Sequence, residues 1–405
     1  METLIATAAR ALASGDPLAA LNGIALRDDP PALALRGIAM AQIGDLGRAR
    51  ALLKRAARGF GTKDAVARAR CTVAEAEIAL VSRELGPQVG RLAAARATLE
   101  DNGDHSNARH ARYVELRWLI LVGRLDEAEA MLAALEPAPS EPRCKVAHEL
   151  AAAGIAIRRL RAWAARAAIE RAGQAARASR IVPLIAEVEG VSLALDQPAA
   201  RLVAGGEERP LLLEEVETLL ASEALVIDGC RSVVRHRGAV ISLARRPVLF
   251  QLASTLGQAW PADAPREVLV ARAFRGKRAD PSHRARLRVE IGRLRKALHG
   301  LAEVSATKRG FVLAPSCGEV LVLAPPVEDD NAALLALLAD GEAWSSSALA
   351  MALDASPRTV QRALEGFAAR GKVQSIGRGR ARRWVAAPIP GFTTTLLLPG
   401  AFPGE

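Results

Sequence analysis

Hydrophobic positions along this chain change their period near the middle. Up to about residue 200 they recur at helical spacing between short polar breaks, which predicts one helix after another. Beyond residue 222 the spacing shortens. Leu225-Val226-Ile227, Ser232-Val233-Val234-Arg235 and Ala239-Val240-Ile241-Ser242-Leu243 are β-branched runs separated by Asp228-Gly229 and Arg237-Gly238, the pattern of a small antiparallel sheet. Helices are predicted over 246–256 and 266–272, and Asp280-Pro281-Ser282 supplies the cap and first turn of a third over 284–299. On that third helix Leu287, Ile291, Leu294 and Leu298 form one stripe. The opposite face carries Arg286, Val289, Arg293 and Lys296, flanked by Arg288, Arg295 and His299, with Glu290 as the opposing acid. Thr307-Lys308-Arg309-Gly310 then makes a turn before Phe311-Val312-Leu313. A basic helix leading straight into a basic-tipped hairpin suits a helix in the major groove with an arm on the backbone. The plainer alternative is a solvated basic face.

The last quarter repeats this layout on a smaller scale. After a linker at 319–330, helices are predicted over 331–338 and 346–353, and Ser356-Pro357 opens another over 358–370 as N-cap and first residue. On it Val360, Leu364 and Phe367 should face inward, and Arg358, Gln361 and Arg362 outward. A hairpin over 372–385 would carry Arg378 and Arg380 near its tip. The tail over 387–405 is rich in Pro, Gly and Thr and reads as an extension.

Within the helical half a short signature recurs, beginning at Gly44, Gly90 and Gly123 and, in a blurred form without glycine, over 159–165. The glycines lie 46 and 33 residues apart, in the range of helix-pair repeats. Each copy suits a tight turn followed by small residues that let a second helix approach the first. The run from Gly123 to Pro137 resembles the tetratricopeptide repeat, which implies a stack with a concave surface for a peptide or protein. A plain helical bundle remains open as the alternative.

Charge sharpens the division. The net formal charge is +11, but residues 1–222 hold 29 Lys+Arg against 28 Asp+Glu, whereas residues 223–405 hold 26 against 16. A polyanionic partner is therefore expected for the second part alone. Cys71, Cys144, Cys230 and Cys317 are scattered without ligand spacing, so neither a metal nor a disulfide framework is expected. No leader pattern or membrane-length apolar run is seen, and a soluble cytoplasmic protein is expected.

Val289-Glu290-Ile291-Gly292-Arg293-Leu294-Arg295-Lys296-Ala297-Leu298, followed by the Gly310-Phe311 hairpin and preceded by strands and two helices, resembles the OmpR/PhoB-type DNA-binding domain of response regulators. The likeness covers about 90 residues. It implies that Arg286, Arg288, Val289 and Arg293 face the groove, with Lys296 on the same side, and that Thr307, Lys308 and Arg309 form the wing contacts. No receiver domain accompanies it. Residues 331–386 are similar to the broad winged helix-turn-helix class of bacterial repressors, with Arg358, Gln361, Arg362, Arg378 and Arg380 as DNA-facing candidates.

The expectation is a mainly α chain. It comprises a tetratricopeptide-like α-helical repeat domain at 1–203, a linker and short helix at 204–222, and two α+β winged-helix domains at 223–318 and 331–386. The expected function is a bacterial double-stranded DNA-binding transcriptional regulator without cofactor, with a peptide or protein at its repeats and RNA polymerase and a second copy as further candidate partners. A scaffold whose winged helices dock protein is the alternative. No catalytic arrangement stands out: Gly366 to Lys372 lacks the phosphate loop's hydroxyl, Ser305-Ala306-Thr307-Lys308 lies in a hairpin, and His105 and His110 are expected to be solvated.

Overall fold

The computed structural model describes all residues except 1, 63, 82–87, 122–123, 136–140, 205–206, 275–280, 317, 326–333, 336–337, 339–343, 353–354, 378, 380–381 and 387–405. Gly123, Asp280, Cys317, Arg378, Arg380, most of the helix expected at 331–338 and the tail therefore lie outside the described residues. The chain is mainly helical with small sheets and divides into two units.

Among the described residues of the first unit, which covers 1–158 and 164–194, the named elements are all helices joined by short turns. Its helices are α1 (Glu2–Ala13), α2 (Pro17–Ile24), α3 (Pro30–Ile43), α4 (Leu46–Phe60), α5 (Ala65–Val81), α6 (Gln88–Asp101), α7 (His105–Leu121), α8 (Leu125–Ala133), α9 (Pro142–Arg158), α10 (Ala162–Ser179) and α11 (Val182–Leu195). Odd-numbered helices from α1 to α9 start at residues 2, 30, 65, 105 and 142, giving intervals of 28, 35, 40 and 37. The turn at Gly44-Asp45 has the expected chemistry. Gly44 adopts φ 99° and ends α3, and the Asp45 carboxylate accepts the Arg48 amide at 3.0 Å. Small residues then allow close approach, since Ala49 and Ala56 are fully buried and a Cβ on Gly37 would meet Leu53 Cγ at 2.8 Å.

Gly90 does not make the expected turn. It lies inside α6, and the turn falls instead at Gly103-Asp104, where Gly103 has φ 77° and Asp104 accepts the Asn107 amide. A glycine followed by Arg and Leu fits a helix interior, as here, and equally the start of a helix, as at α8, whose N-cap Arg124 makes no side-chain cap. The same Gly-Asp pair closes α1 at Gly15-Asp16, a copy the short signature overlooked. Between α9 and α10 the turn forms without glycine, with Leu160 in the left-handed region at φ 60°.

The second unit, 195–387 with 159–163, is built around two sheets and a hairpin module. Strands β1 (Ala200–Ala204), β2 (Glu207–Leu211), β3 (Leu225–Asp228), β4 (Val233–His236), β5 (Ala239–Ser242) and β9 (Val320–Ala324) form one sheet in the order β2-β1-β9-β3-β4-β5. The three runs read from sequence are its antiparallel β3-β4-β5 edge. The short helix expected within 204–222 is present as α12 (Leu213–Leu220), but that segment also holds β2, and β1 begins inside the stretch expected to be helical up to 203; the linker expected from 319 begins with β9, which pairs parallel to β3 and antiparallel to β1. Val320-Leu321-Val322-Leu323 is buried throughout, so it lacks the alternation that marks a half-exposed strand.

Against this sheet packs α13 (Pro247–Ala259), on which α14 (Arg266–Phe274) and α15 (Pro281–Ala297) pack in turn, with a second sheet of β6 (Ala264–Pro265), β8 (Gly310–Pro315) and β7 (Ala302–Ala306) in that order. One core joins Leu252 and Leu256, Leu269, the α15 stripe, Val304 and Leu313 to Ile227 and Val322 of the first sheet. The predicted stripe is right: Leu287, Ile291, Leu294 and Leu298 are each no more than 1% exposed.

Near the C-terminus α16 (Ser346–Ala352), α17 (Pro357–Ala369) and the hairpin β10 (Val373–Ile376) and β11 (Arg383–Ala386) enclose Leu349, Val360, Leu364, Phe367, Val373 and Trp384. Ser356 caps α17, accepting the Thr359 amide at 3.0 Å as its sequence predicts. No helix among the described residues is long and apolar enough to cross a membrane.

Candidate nucleic-acid interface

Burial of the leucine stripe fixes which way α15 presents its charge. Ala285, Arg286, Arg288, Val289, Gly292, Arg293 and Lys296 are all exposed, so the helix shows cations around a narrow strip of small or apolar residues. Val289 stands near the middle of that strip and is 54% exposed. The cations are held differently. The Arg286 guanidinium lies 4.7 Å from the centroid of the Phe274 ring, close enough for a cation–π contact. Arg293 donates to Glu290 at 2.8 Å, so a partner's anion would compete with an internal carboxylate for it. Arg295 donates through Nε to the Val304 carbonyl at 2.6 Å, tying α15 to β7. Arg288 and Lys296 have no ion pair among the described residues.

At the hairpin tip Lys308 and Arg309 are exposed, as expected. Thr307 is not the outward contact assigned to it. Its hydroxyl donates to Asp263 at 2.5 Å and accepts the Gly310 amide at 2.8 Å, which uses it to close the turn. Arg266, which the sequence did not single out, fastens the tip from the start of α14. It donates to the Lys308 and Thr307 carbonyls, both at 2.9 Å, and lies 5.4 Å from the Phe311 ring centroid. Its partners are 41 and 42 residues away, so no local spacing could have shown it. Arg266→Ala should leave α15 in place but loosen the tip. Hydrogen exchange should quicken at the Thr307 and Gly310 amides while exchange at the Ile291 and Leu294 amides is unchanged; equal quickening in both places would contradict this positioning role.

On α17, Arg358 and Arg362 are exposed, while Gln361 is half-buried and donates to Glu365 at 2.8 Å. The placement expected of Val360, Leu364 and Phe367 is correct, at 2%, 0% and 0% exposure. Gln361 is thus occupied along its own helix, an i,i+4 pairing that the outward-facing assignment did not consider.

The first unit holds a polar cluster that the sequence also missed. His105 is exposed as expected, but His110 is not solvated: its Nε2 lies 2.9 Å from Oε2 of Glu77, itself 2% exposed. Nearby, Glu187 accepts Arg117 at 2.5 Å. Burial pushes the Glu187 carboxyl up to about 7, with Arg117 opposing the shift and Glu77 adding to it. A carboxyl raised on folding binds its proton more tightly in the folded state. Its contribution to stability therefore falls as pH rises from about 4.5 to about 7 and is level above. Denaturant titrations of wild type and Glu187→Gln should show that slope in the first only; parallel curves would refute it.

Compared with protein-family models, with curated proteins and with solved structures, the chain matches none.

Proposed function

We propose that this chain is a sequence-specific double-stranded DNA-binding transcriptional regulator. In this reading residues 223–318 are an OmpR/PhoB-like winged helix, residues 331–386 a second winged helix-turn-helix, and the N-terminal helix pairs a tetratricopeptide-like stack that senses or recruits a peptide or protein. The supporting observation is the exposed cationic face of α15 beside a hairpin tip whose Lys308 and Arg309 side chains point to solvent while Arg266 holds its backbone. A helix of about 10–12 Å diameter matches the major groove, and a basic arm beside it would lie along phosphates. Arg286, Arg288, Val289 and Arg293 would then approach base edges. Lys296, Lys308 and Arg309 would neutralise phosphates, as would Arg358 and Arg362 of the second module.

Titration of the full chain with duplex DNA across a range of salt tests this. Lys308→Ala is expected to weaken binding to all sequences and to reduce the slope of log K against log salt by about 1, the loss of one phosphate contact. Arg293→Ala is expected to relax sequence preference at one position, costing roughly 1–3 kcal/mol on the preferred site alone. The absence of duplex binding at low salt would favour the alternative, an adaptor whose two small modules dock protein.

A further inference from the structure

Within the first unit α11 reaches well beyond its neighbours in sequence. The Glu187 carboxylate accepts Arg117 of α7, 70 residues back, and Leu184 stands beside Val146, Ala147 and Leu150 of α9. Ile181, just before α11, abuts the α1–α2 turn: a Cβ on Gly15 would come within 3.1 Å of its Cγ2. In a linear stack of helix pairs each pair touches only the pairs on either side, so a final helix has no reason to reach α7 or α1. Instead α11 lies across the face made by α5, α7 and α9, where α7 neighbours both of the others. The space left there is about 50 Å³, room for a few waters at most, so α11 fills the cleft.

Two further features distinguish α11 from a closing cap. A terminal helix that shields a stack turns a polar face outward, whereas α11 leaves Val182, Pro183, Ala186, Gly190 and Leu193 exposed. Its buried stripe of Leu184, Val188 and Val191 also contains Glu187, only 3% exposed. Desolvating a carboxylate costs several kcal/mol, which its pair with Arg117 offsets only in part, so a leucine would hold a purely structural helix better. What the carboxylate supplies is register: one placement of α11 brings it to Arg117. Aliphatic residues at helical spacing with one central acid make the pattern of a helix held in a groove.

We propose that α11 is an internal ligand, seated in a helix-binding groove of α5, α7 and α9 that an amphipathic helix of a partner protein takes over when α11 leaves. That partner helix has the pattern of α11 itself: aliphatic residues at the places of Leu184, Val188 and Val191, and a carboxylate opposite Arg117. The inference rests on the reading of the helix pairs as a peptide-binding stack and names the chemistry of the peptide. Residues 196–199 alone join α11 to β1, so release of α11 frees the segment that enters the second unit.

Native-state hydrogen exchange on the full-length wild-type chain tests whether α11 leaves by itself. The Val188 and Val191 amides should open at least about tenfold more often than those of Leu116 in α7 and Leu150 in α9. Fluorescence anisotropy then tests the groove, with a labelled peptide of residues 181–195 carrying added lysines for solubility. A Leu184→Asp chain, whose own α11 no longer docks, should bind this peptide at least about tenfold more tightly than wild type, where the tethered helix competes at an effective concentration on the order of millimolar. The same peptide with Glu187→Lys should bind the variant at least about tenfold more weakly. Exchange of α11 only together with α7 and α9 would overturn the proposal and leave the stack free to bind a peptide elsewhere; because it uses wild type, this measurement decides even where the variant does not fold. Separate opening of α11 with no capture by a Leu184→Asp chain of wild-type helical circular dichroism would overturn the peptide-binding reading as well. Equal binding by wild type and variant, or of the two peptides, would also overturn the proposal.

Discussion

Gly310→Ala is expected to be the most damaging single methyl in the second unit. A Cβ at this position would stand 1.8 Å from the Ala264 carbonyl oxygen and 2.7 Å from its carbon, so the obstacle is backbone, not a side chain that can swing away. Relief requires β6 to part from β8, losing the pairing of Ala264 with Phe311 and of Pro265 with Gly310. Overpacking of this kind costs about 3 kcal/mol or more, which for a unit of this size lowers the melting midpoint by roughly 10 °C. Gly292→Ala is the control. That Cβ meets nothing within 4 Å, and alanine in a helix interior should stabilise by about 0.5–1 kcal/mol. Scanning calorimetry of both variants decides the matter; similar midpoints would mean the close approach at Gly310 is not rigid.

Val289→Glu is expected to have the largest effect on function with the smallest effect on fold. Val289 is half-exposed at the centre of the α15 strip, so its replacement leaves the leucine stripe untouched and should move stability by no more than about 0.5 kcal/mol. A carboxylate there would face the negative charge of a bound duplex at the point of closest approach. Like-charge juxtaposition costs several kcal/mol, so duplex affinity is expected to fall on the order of 100-fold. Fluorescence anisotropy with labelled duplex measures it. Unchanged affinity would place the DNA elsewhere or remove it as a partner.

Legibility differed between elements for identifiable reasons. The α15 stripe was visible because helical periodicity is local: four buried aliphatics at spacings of three and four residues leave one arrangement that keeps them dry. The Ser356-Pro357 start of α17 was visible because a cap is chemistry within three residues. Gly90 misled because Gly-Arg-Leu is compatible with both outcomes: at Gly90 it lies inside α6, while the same three residue types lead into α8, whose N-cap Arg124 makes no side-chain cap. Thr307 was assigned as a wing contact from the resemblance alone, and only the approach of Asp263, 44 residues away, shows its hydroxyl already used.

By itself the sequence determined the mainly helical character, the strands β3 to β5 though not β1 and β2 before them, the buried and charged faces of α15, and the concentration of positive charge in the second part. All of these follow from forces acting over one or two helical turns or from simple counting. Tertiary structure alone decided that β9 runs between β1 and β3, that Arg266 anchors the hairpin tip, and that Glu77, His110, Arg117 and Glu187 gather at one cleft. Strand pairing and ion pairing join groups far apart along the chain, and which distant groups meet is set by packing of the whole unit, a quantity that no local window contains.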